Sequence, residues 1–331
     1  LSVIVVMVKR RGAASDSGDE LGKMADTPSA GAQSSPTAVP RGRIPFRIMD
    51  SQIRRRSVGA PAARSLLLTV LGEYVLPRSA SLWQETLVSA LESLGYSEQA
   101  ARQALSRSTR DGWLTTERHG RRTRMTLSDR TAELLSAGAE RIYSFGESWQ
   151  WDGRWLLVVL RVPEQRRAVR HQLRTSLAWA GFGSLGGGVW LTPHVEREAE
   201  LSSAIADEPA ADANFFVGTL TGLADPMQVA ATAWDLEAVR RAYLTFINDF
   251  GRARPSSPES CFRLQTELVH AWRRFPFLDP DLPTELLPAR WPRTRAHDLF
   301  LEHHQRLSAP ARAYFEDLEE GLIPSISVAS R

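Results

Sequence analysis

Seven arginines fall between Tyr96 and Leu127, in YSEQAARQALSRSTRDGWLTTERHGRRTRMTL. Read as a helix, the first half puts Gln99, Arg102, Gln103, Ser106 and Arg110 on one face, with Arg107 on its flank. Ala101, Ala104, Leu105 and Ser108 then fall on the other face. Arginine pairs bidentately with guanine N7 and O6, and glutamine with adenine N6 and N7. The N-terminal half of a helix docked in a major groove touches base edges, which points to Gln99, Arg102, Gln103 and Ser106. Arg107 and Arg110 suit phosphate. Arg118, Arg121, Arg122 and Arg124 gather around His119 and Gly120 at a turn, where a basic tip reaches the neighbouring backbone or minor groove. The chemistry in prospect is binding to double-stranded DNA.

The elements that must position these groups are legible nearby. Leu66, Leu67, Val70, Leu71, Tyr74 and Val75 recur at helical spacing, and Pro77 ends that helix. A second helix is expected with Trp83, Leu87, Leu91 and Leu94 on one stripe, closed by Gly95. Ser97 is the N-cap of the third helix and Gly112 its stop. WLTTER and TRMTLS flank HGRR as a two-stranded hairpin, with Met125 and Leu127 on a buried face and Arg124 and Thr126 on a wet one. Three helices followed by a hairpin is the winged helix-turn-helix order.

Further along, RWLLVVLRV (Arg154 to Val162) reads as a buried strand, and a helix carrying Val169, Leu173, Leu177 and Ala180 follows. GGGVWLTP and ANFFVGTL read as two more strands, with a helix around Val195 to Ile205 between them. That alternation suggests a ferredoxin-like domain. After Asp225 the pattern is helical, with Leu236, Val239, Tyr243, Phe246 and Phe250 on one stripe and a last helix from about Thr294. The expected fold class is therefore α+β multidomain. It comprises a basic tail over 1–60, a winged helix over 61–145, a ferredoxin-like domain over 146–224 and a helical domain over 225–323.

Composition bounds the rest. The tail is rich in Ser, Ala, Gly and Pro without apolar periodicity, so it is expected to be disordered, and Met24 is a candidate start. The 331 residues hold 41 Lys and Arg against 38 Asp and Glu, so the location of charge matters more than its total. Residues 97–125 carry seven basic side chains against three acidic, whereas 146–331 carry twenty against twenty-four. Positive charge gathers where a duplex would lie, and counterion release follows from that. One cysteine, Cys261, excludes an intramolecular disulfide and any CxxC zinc spacing, which fits a reducing cytoplasm. LSVIVVMV is too short to span a bilayer and is followed, not preceded, by positive charge. No membrane partner is expected.

Other constellations are weak. His303 and His304 are adjacent and point about 100° apart on a helix, so they do not share a metal. No GxxxxGK[ST] or GxSxG motif occurs, and GFGSLGGGVW reads as a tight turn. No catalytic residue, metal ligand or cofactor is expected.

The stretches AARQALSRSTRDGWL, GRRTRMTLS, WDGRWLLVVLRVPEQRRAVRHQLRTSLAWAGFGSLGGGVWLTP, AWDLEAVRRAYLTF and FPFLDPDLPTELLPARWP, in that order, resemble the PaaX family of transcriptional repressors. The likeness runs from about Pro61 to the C-terminus. It implies the three domains above and a homodimer bound to a DNA operator. It also implies release by a small-molecule acyl-CoA effector, an aryl-CoA thioester such as phenylacetyl-CoA. Ser108 departs from the family's usual leucine, and Arg293 from its common glycine after WP. A ligand with an aromatic ring and phosphates needs an apolar slot and cations, and HAWRRF offers Trp272, Arg273 and Arg274 as such a wall. The central domain's likeness to a metal-dependent nuclease fold is discounted, because Arg161 stands at the first strand's end where an aspartate is needed. The alternatives are a nuclease or thioesterase carrying a winged helix, and a winged helix used for protein contacts.

Overall fold

The computed structural model describes residues 62–146, 149–199, 201–202, 212–222 and 224–321. The expected tail over 1–60, with Met24, lies outside the described residues. No helix among the described residues is long and apolar enough to cross a membrane.

Helix α1 (Ala63–Val70) runs into a π-helical turn, Leu71–Val75, and a 3-10 turn, Leu76–Arg78, that contains Pro77. The six apolar residues expected at helical spacing are all buried. Then come β1 (Leu82–Trp83), α2 (Gln84–Ser93), α3 (Glu98–Arg110), β2 (Leu114–His119), β3 (Arg122–Leu127) and α4 (Asp129–Tyr143). Trp83 is not on the stripe of α2 as expected. It lies in β1, extended at φ −69° and ψ 142°, and pairs with Arg124 across the antiparallel sheet. This sheet has the order β1-β3-β2. Helix α4 is an addition to the sequence reading; Ser128 caps it by accepting from the Thr131 amide.

The second sheet contains β4 (Arg154–Arg161), β5 (Gly183–Gly186), β6 (Val189–Thr192) and β7 (Asp212–Thr219), in the antiparallel order β5-β6-β4-β7. Helix α5 (Arg167–Trp179) buries Leu173 and Leu177 against it, together with Leu156, Val158 and Phe182. Four strands stand where three were expected, because β5 is built from glycine, serine and leucine. Gly188 closes the β5–β6 turn at φ +84°, and a Cβ there would lie 2.4 Å from the Leu160 carbonyl oxygen. The expected helix near Val195 begins as a 3-10 turn, Val195–Arg197, and continues at 198–199 and 201–202; the rest of it lies outside the described residues.

Among the described residues, helices α6 (Pro226–Ala233), α7 (Leu236–Phe250), α8 (Pro258–Trp272), the single turn α9 (Phe275–Leu278) and α10 (Arg293–Glu320) follow. The expected stripe of α7 is buried, and Trp272 stacks on Phe300 at 4.7 Å between centroids. Each large apolar side chain so buried stabilises by roughly 1.5–3 kcal/mol. One cluster crosses the expected boundary at 225. Leu67, Leu91, Leu105 and Met125 share a core with Phe262, Leu307, Ala311 and Phe315. The last helix thus completes the core beneath α3.

The connector before α10 is a polar hub. Asp279 is buried and accepts from Tyr243 Oη (2.6 Å), Arg293 Nε (3.1 Å) and the Asp281 amide (2.8 Å). Arg293 also donates to Asp281 (3.0 Å) and to the Leu282 carbonyl (2.8 Å). Burial pushes the Asp279 carboxyl up, and the Arg293 guanidinium opposes that push. Two residues that flank the second sheet's strands, His194 after β6 and Trp149 before β4, join the hub, their Nε2 and Nε1 donating to the Asp281 carbonyl at 3.0 and 3.2 Å. Arg293 is the cation that the buried Asp279 carboxylate, with part-buried Asp281 beside it, demands.

Candidate nucleic-acid interface

The support of α3 begins with its ends. Ser97 Oγ accepts from the Ala100 amide at 3.3 Å, a capping bond worth about 1 kcal/mol. At the other end Gly112 adopts φ +75°, and the Trp113 amide returns to the Ser108 carbonyl at 2.8 Å. Arg64 pairs with Asp111 at 2.6 Å and lies over the Trp113 ring at 4.1 Å, tying the helix end to α1. The inner face is buried: Ala101, Ala104, Leu105 and Ser108. Ser108 donates to the Ala104 carbonyl at 2.9 Å, so its hydroxyl is satisfied inside the core.

The outer face is exposed at every position singled out in the sequence: Gln99, Arg102, Gln103, Ser106, Arg107 and Arg110. Together with Glu98 they line one continuous shallow surface. Arg102 donates to Glu98 at 2.8 Å, and Arg110 lies 3.8 Å from Asp111. Both pairs are solvent-exposed and of the kind worth at most about 1 kcal/mol, so they yield to a stronger acceptor. Ala101 and Ala104 let α3 seat closely on α1 and α2, and that projects the polar face outward.

The hairpin divides its arginines. Gly120 opens the two-residue turn at φ +63°, and Arg118 and Arg121 are exposed at the tip. Arg122, expected at the basic tip, and Arg124, expected on the wet face, are both part-buried, covered on the face opposite Met125. The Arg122 guanidinium lies over the Trp83 ring at 3.9 Å, with Glu85 at 3.9 Å. Arg124 lies over the same ring at 4.3 Å and donates to the Ser81 carbonyl (2.6 Å) and to Glu319 (3.2 Å). Trp83 and Glu319 were not among the sequence candidates. Trp83 had the signal of a helix-stripe residue, and Glu319 is 195 positions from Arg124, so no local pattern joins them.

The expected effector wall is not a wall. Trp272 is fully buried and donates to the Ile142 carbonyl at 3.2 Å. Arg273 donates to the Ser65 carbonyl (2.9 Å) and hydroxyl (3.0 Å), fastening α8 to α1. Burial, with Arg274 beside it, lowers Arg273 to about 10, still charged at neutral pH. Arg274 is exposed, and it precedes α9.

A polar cavity of about 90 Å³ lies elsewhere, where α4, α5, the Val195–Arg197 turn and α9 meet. Arg141, Arg197, Phe145, Trp234, Asp279 and Asp281 are among its lining residues. Arg141 donates to the Pro276 carbonyl at 2.9 Å and lies over the Phe277 ring at 4.8 Å. Arg197 donates to the Ala180 carbonyl at 2.6 Å. Among the described residues, no three His, Cys, Asp or Glu side chains cluster to hold a metal ion.

Comparison with known proteins bears on this arrangement. The family model described as PaaX-like protein matches residues 62–131. The PaaX protein central Cas2-like domain matches 148–230, and the PaaX-like protein C-terminal domain matches 234–317. The Transcriptional repressor PaaX of Escherichia coli (strain K12) is 30% identical over 268 residues, which cover 77% of this chain and 84% of that protein. The chain belongs to the PaaX family. Its α3 and hairpin lie within the first PaaX match and its polar hub within the third. An uncharacterized protein of Mycobacterium tuberculosis, Rv0674, shares the fold at a TM-score of 0.54 and 23% identity, over 77% of this chain and 99% of that one.

Proposed function

We propose that this PaaX-family chain is a sequence-specific DNA-binding transcriptional repressor. The observation that carries the reading is the outer face of α3: six polar or cationic side chains, all exposed, on a helix whose opposite face is buried. Arginine and glutamine at that spacing supply the donors and acceptors that guanine and adenine edges call for. We take α1 to β3 as a winged helix-turn-helix unit with α3 in the major groove and Arg118 and Arg121 on adjacent backbone. We take the βαββ unit with β7 as a ferredoxin-like domain. Two copies would bind an inverted repeat with half-sites about 34 Å apart or a multiple of it.

The E. coli relative's name supports the repressor reading. The resemblance also supports release by an aryl-CoA thioester. The junction cavity, with Arg141 and Arg197 beside Phe145 and Trp234, supplies cations and aromatic rings together. Its volume is small against the roughly 300–1,000 Å³ of pockets for drug-sized ligands, so only one end of such a ligand would enter.

The test is duplex binding by fluorescence anisotropy across a salt series, with fragments flanking the gene. Wild-type protein is expected to bind one fragment with a steep salt dependence. Arg102→Ala is expected to relax base preference at one position at a cost of about 1–3 kcal/mol, and Arg121→Ala to weaken all sequences and reduce the salt slope by about 1. Equal, salt-insensitive affinity for every fragment overturns the reading.

A further inference from the structure

The two halves of the hairpin's charge behave differently because one of them is claimed by the far end of the chain. Glu319, in the last turn of α10, is buried against the first sheet. It accepts from the Thr86 hydroxyl in a close hydrogen bond, from the Trp83 amide at 3.4 Å and from Arg124 at 3.2 Å. Trp83 pairs with Arg124 in the sheet, and its ring underlies both Arg122 and Arg124. One carboxylate therefore binds the start of α2, the strand β1 and the strand β3 at once.

The helix that presents Glu319 is anchored at both ends. Its first residue, Arg293, is clamped by Asp279 and Asp281, which also line the junction cavity. Arg293 and Glu319 are 26 positions apart in this helix of 28 residues, or about 39 Å at the helical rise of 1.5 Å. Leu307, Ala311 and Phe315 bury the middle of this rod in the core beneath α3, and Tyr314 shares a hydrogen bond with Ser93 of α2 at 2.8 Å.

We propose that α10 holds the hairpin in its DNA-facing pose, with Glu319 as the positioning residue acting through Arg124 and Trp83. Glu319 touches no nucleic acid. It fixes where Arg118 and Arg121 stand relative to α3. The inference rests on the proposed DNA-binding role of the hairpin for its function, but the hold on the hairpin is measurable without DNA.

The experiment uses the full chain as Glu319→Gln, which keeps the shape and one acceptor oxygen, and as Glu319→Ala, which removes both. Amide hydrogen exchange over 114–127 is expected to quicken about tenfold or more in Glu319→Ala and less in Glu319→Gln, the scale of losing a hydrogen bond to a charged group. Exchange over 98–110 is expected to stay within about twofold. Duplex affinity should fall about tenfold, and Arg121→Ala should then cost much less in the Glu319→Ala background than it costs the native chain, since a misplaced tip has no contact to lose. Unchanged exchange over 114–127 in both variants, exchange quickened equally over 98–110, or additive losses of affinity each overturn the proposal. If the native chain binds no duplex while the hairpin still loosens on substitution, the DNA reading falls and the hold by Glu319 stands.

Discussion

Replacing Phe315 with alanine should damage α3, although the two are some two hundred positions apart. Phe315 is fully buried, and its ring lies 5.2 Å from Tyr74 and 6.2 Å from Phe262. Its cluster contains Leu105 of α3 and Met125 of β3. Truncating a buried phenylalanine to alanine costs about 3–5 kcal/mol through lost transfer energy and the cavity left behind. That is a large share of the roughly 5–15 kcal/mol by which native proteins are stable. Leu301→Ala is the matched control, because Leu301 is exposed on the same helix and its loss should stay within about 0.5 kcal/mol. Urea unfolding of the two variants gives the difference, and amide exchange over 98–110 locates it. We expect Phe315→Ala to shift the midpoint strongly and to release protection in α3. A change below about 1 kcal/mol, or one confined to α7 and α8 with α3 protected as before, would refute the shared core.

Two further outcomes follow from buried charge. Burial, with Arg273 and Arg274 beside it, lowers His270 from 6.5 to about 3, and its Nδ1 lies 3.1 Å from Thr69 Oγ1. A depressed folded value means that the unfolded chain takes up the proton first, so this contribution is complete above pH 6.5 and is lost as pH falls toward 3. Unfolding followed from pH 7 to 4 should show that loss, of order a few kcal/mol, and His270→Gln should flatten it. Arg293→Met should cost about 3–5 kcal/mol at pH 7 by stranding Asp279, and less in acid, where the carboxyl takes a proton. A pH-independent cost in urea unfolding would contradict the ion-pair account.

The parts of this molecule that could be read from the sequence are those whose causes are local. Ser97, the small inner face and Gly112 delimit α3 within a few residues, and the alternation around Met125 marks the hairpin. The stripe of α7 is equally explicit. Trp83 was misplaced because one apolar residue beside a helix satisfies the helical period and a two-residue strand alike; only pairing with β3 decides. Strand β5 lacks the β-branched and aromatic residues that mark strands, and it is held by β6 rather than by its own propensity. Arg124 and Arg273 looked like free cations, since nothing near them in the chain announces Glu319 or Ser65. The outer face of α3 was legible because exposure follows from helical spacing. The partial burial of Arg122 and Arg124 is not, because it depends on Trp83 and, for Arg124, on Glu319 of the last helix.

The dependence of α3 on Leu307, Ala311 and Phe315 has a temporal side. Chains emerge from the ribosome N-terminus first, so residues 62–127 are exposed long before the segment that closes their core is made. A half-made molecule therefore presents arginines on an unsupported helix, with no floor to hold them in register. If the surface binds DNA as proposed, a prematurely stopped chain is expected to compete poorly with finished copies, since it lacks the residues that complete the core beneath α3.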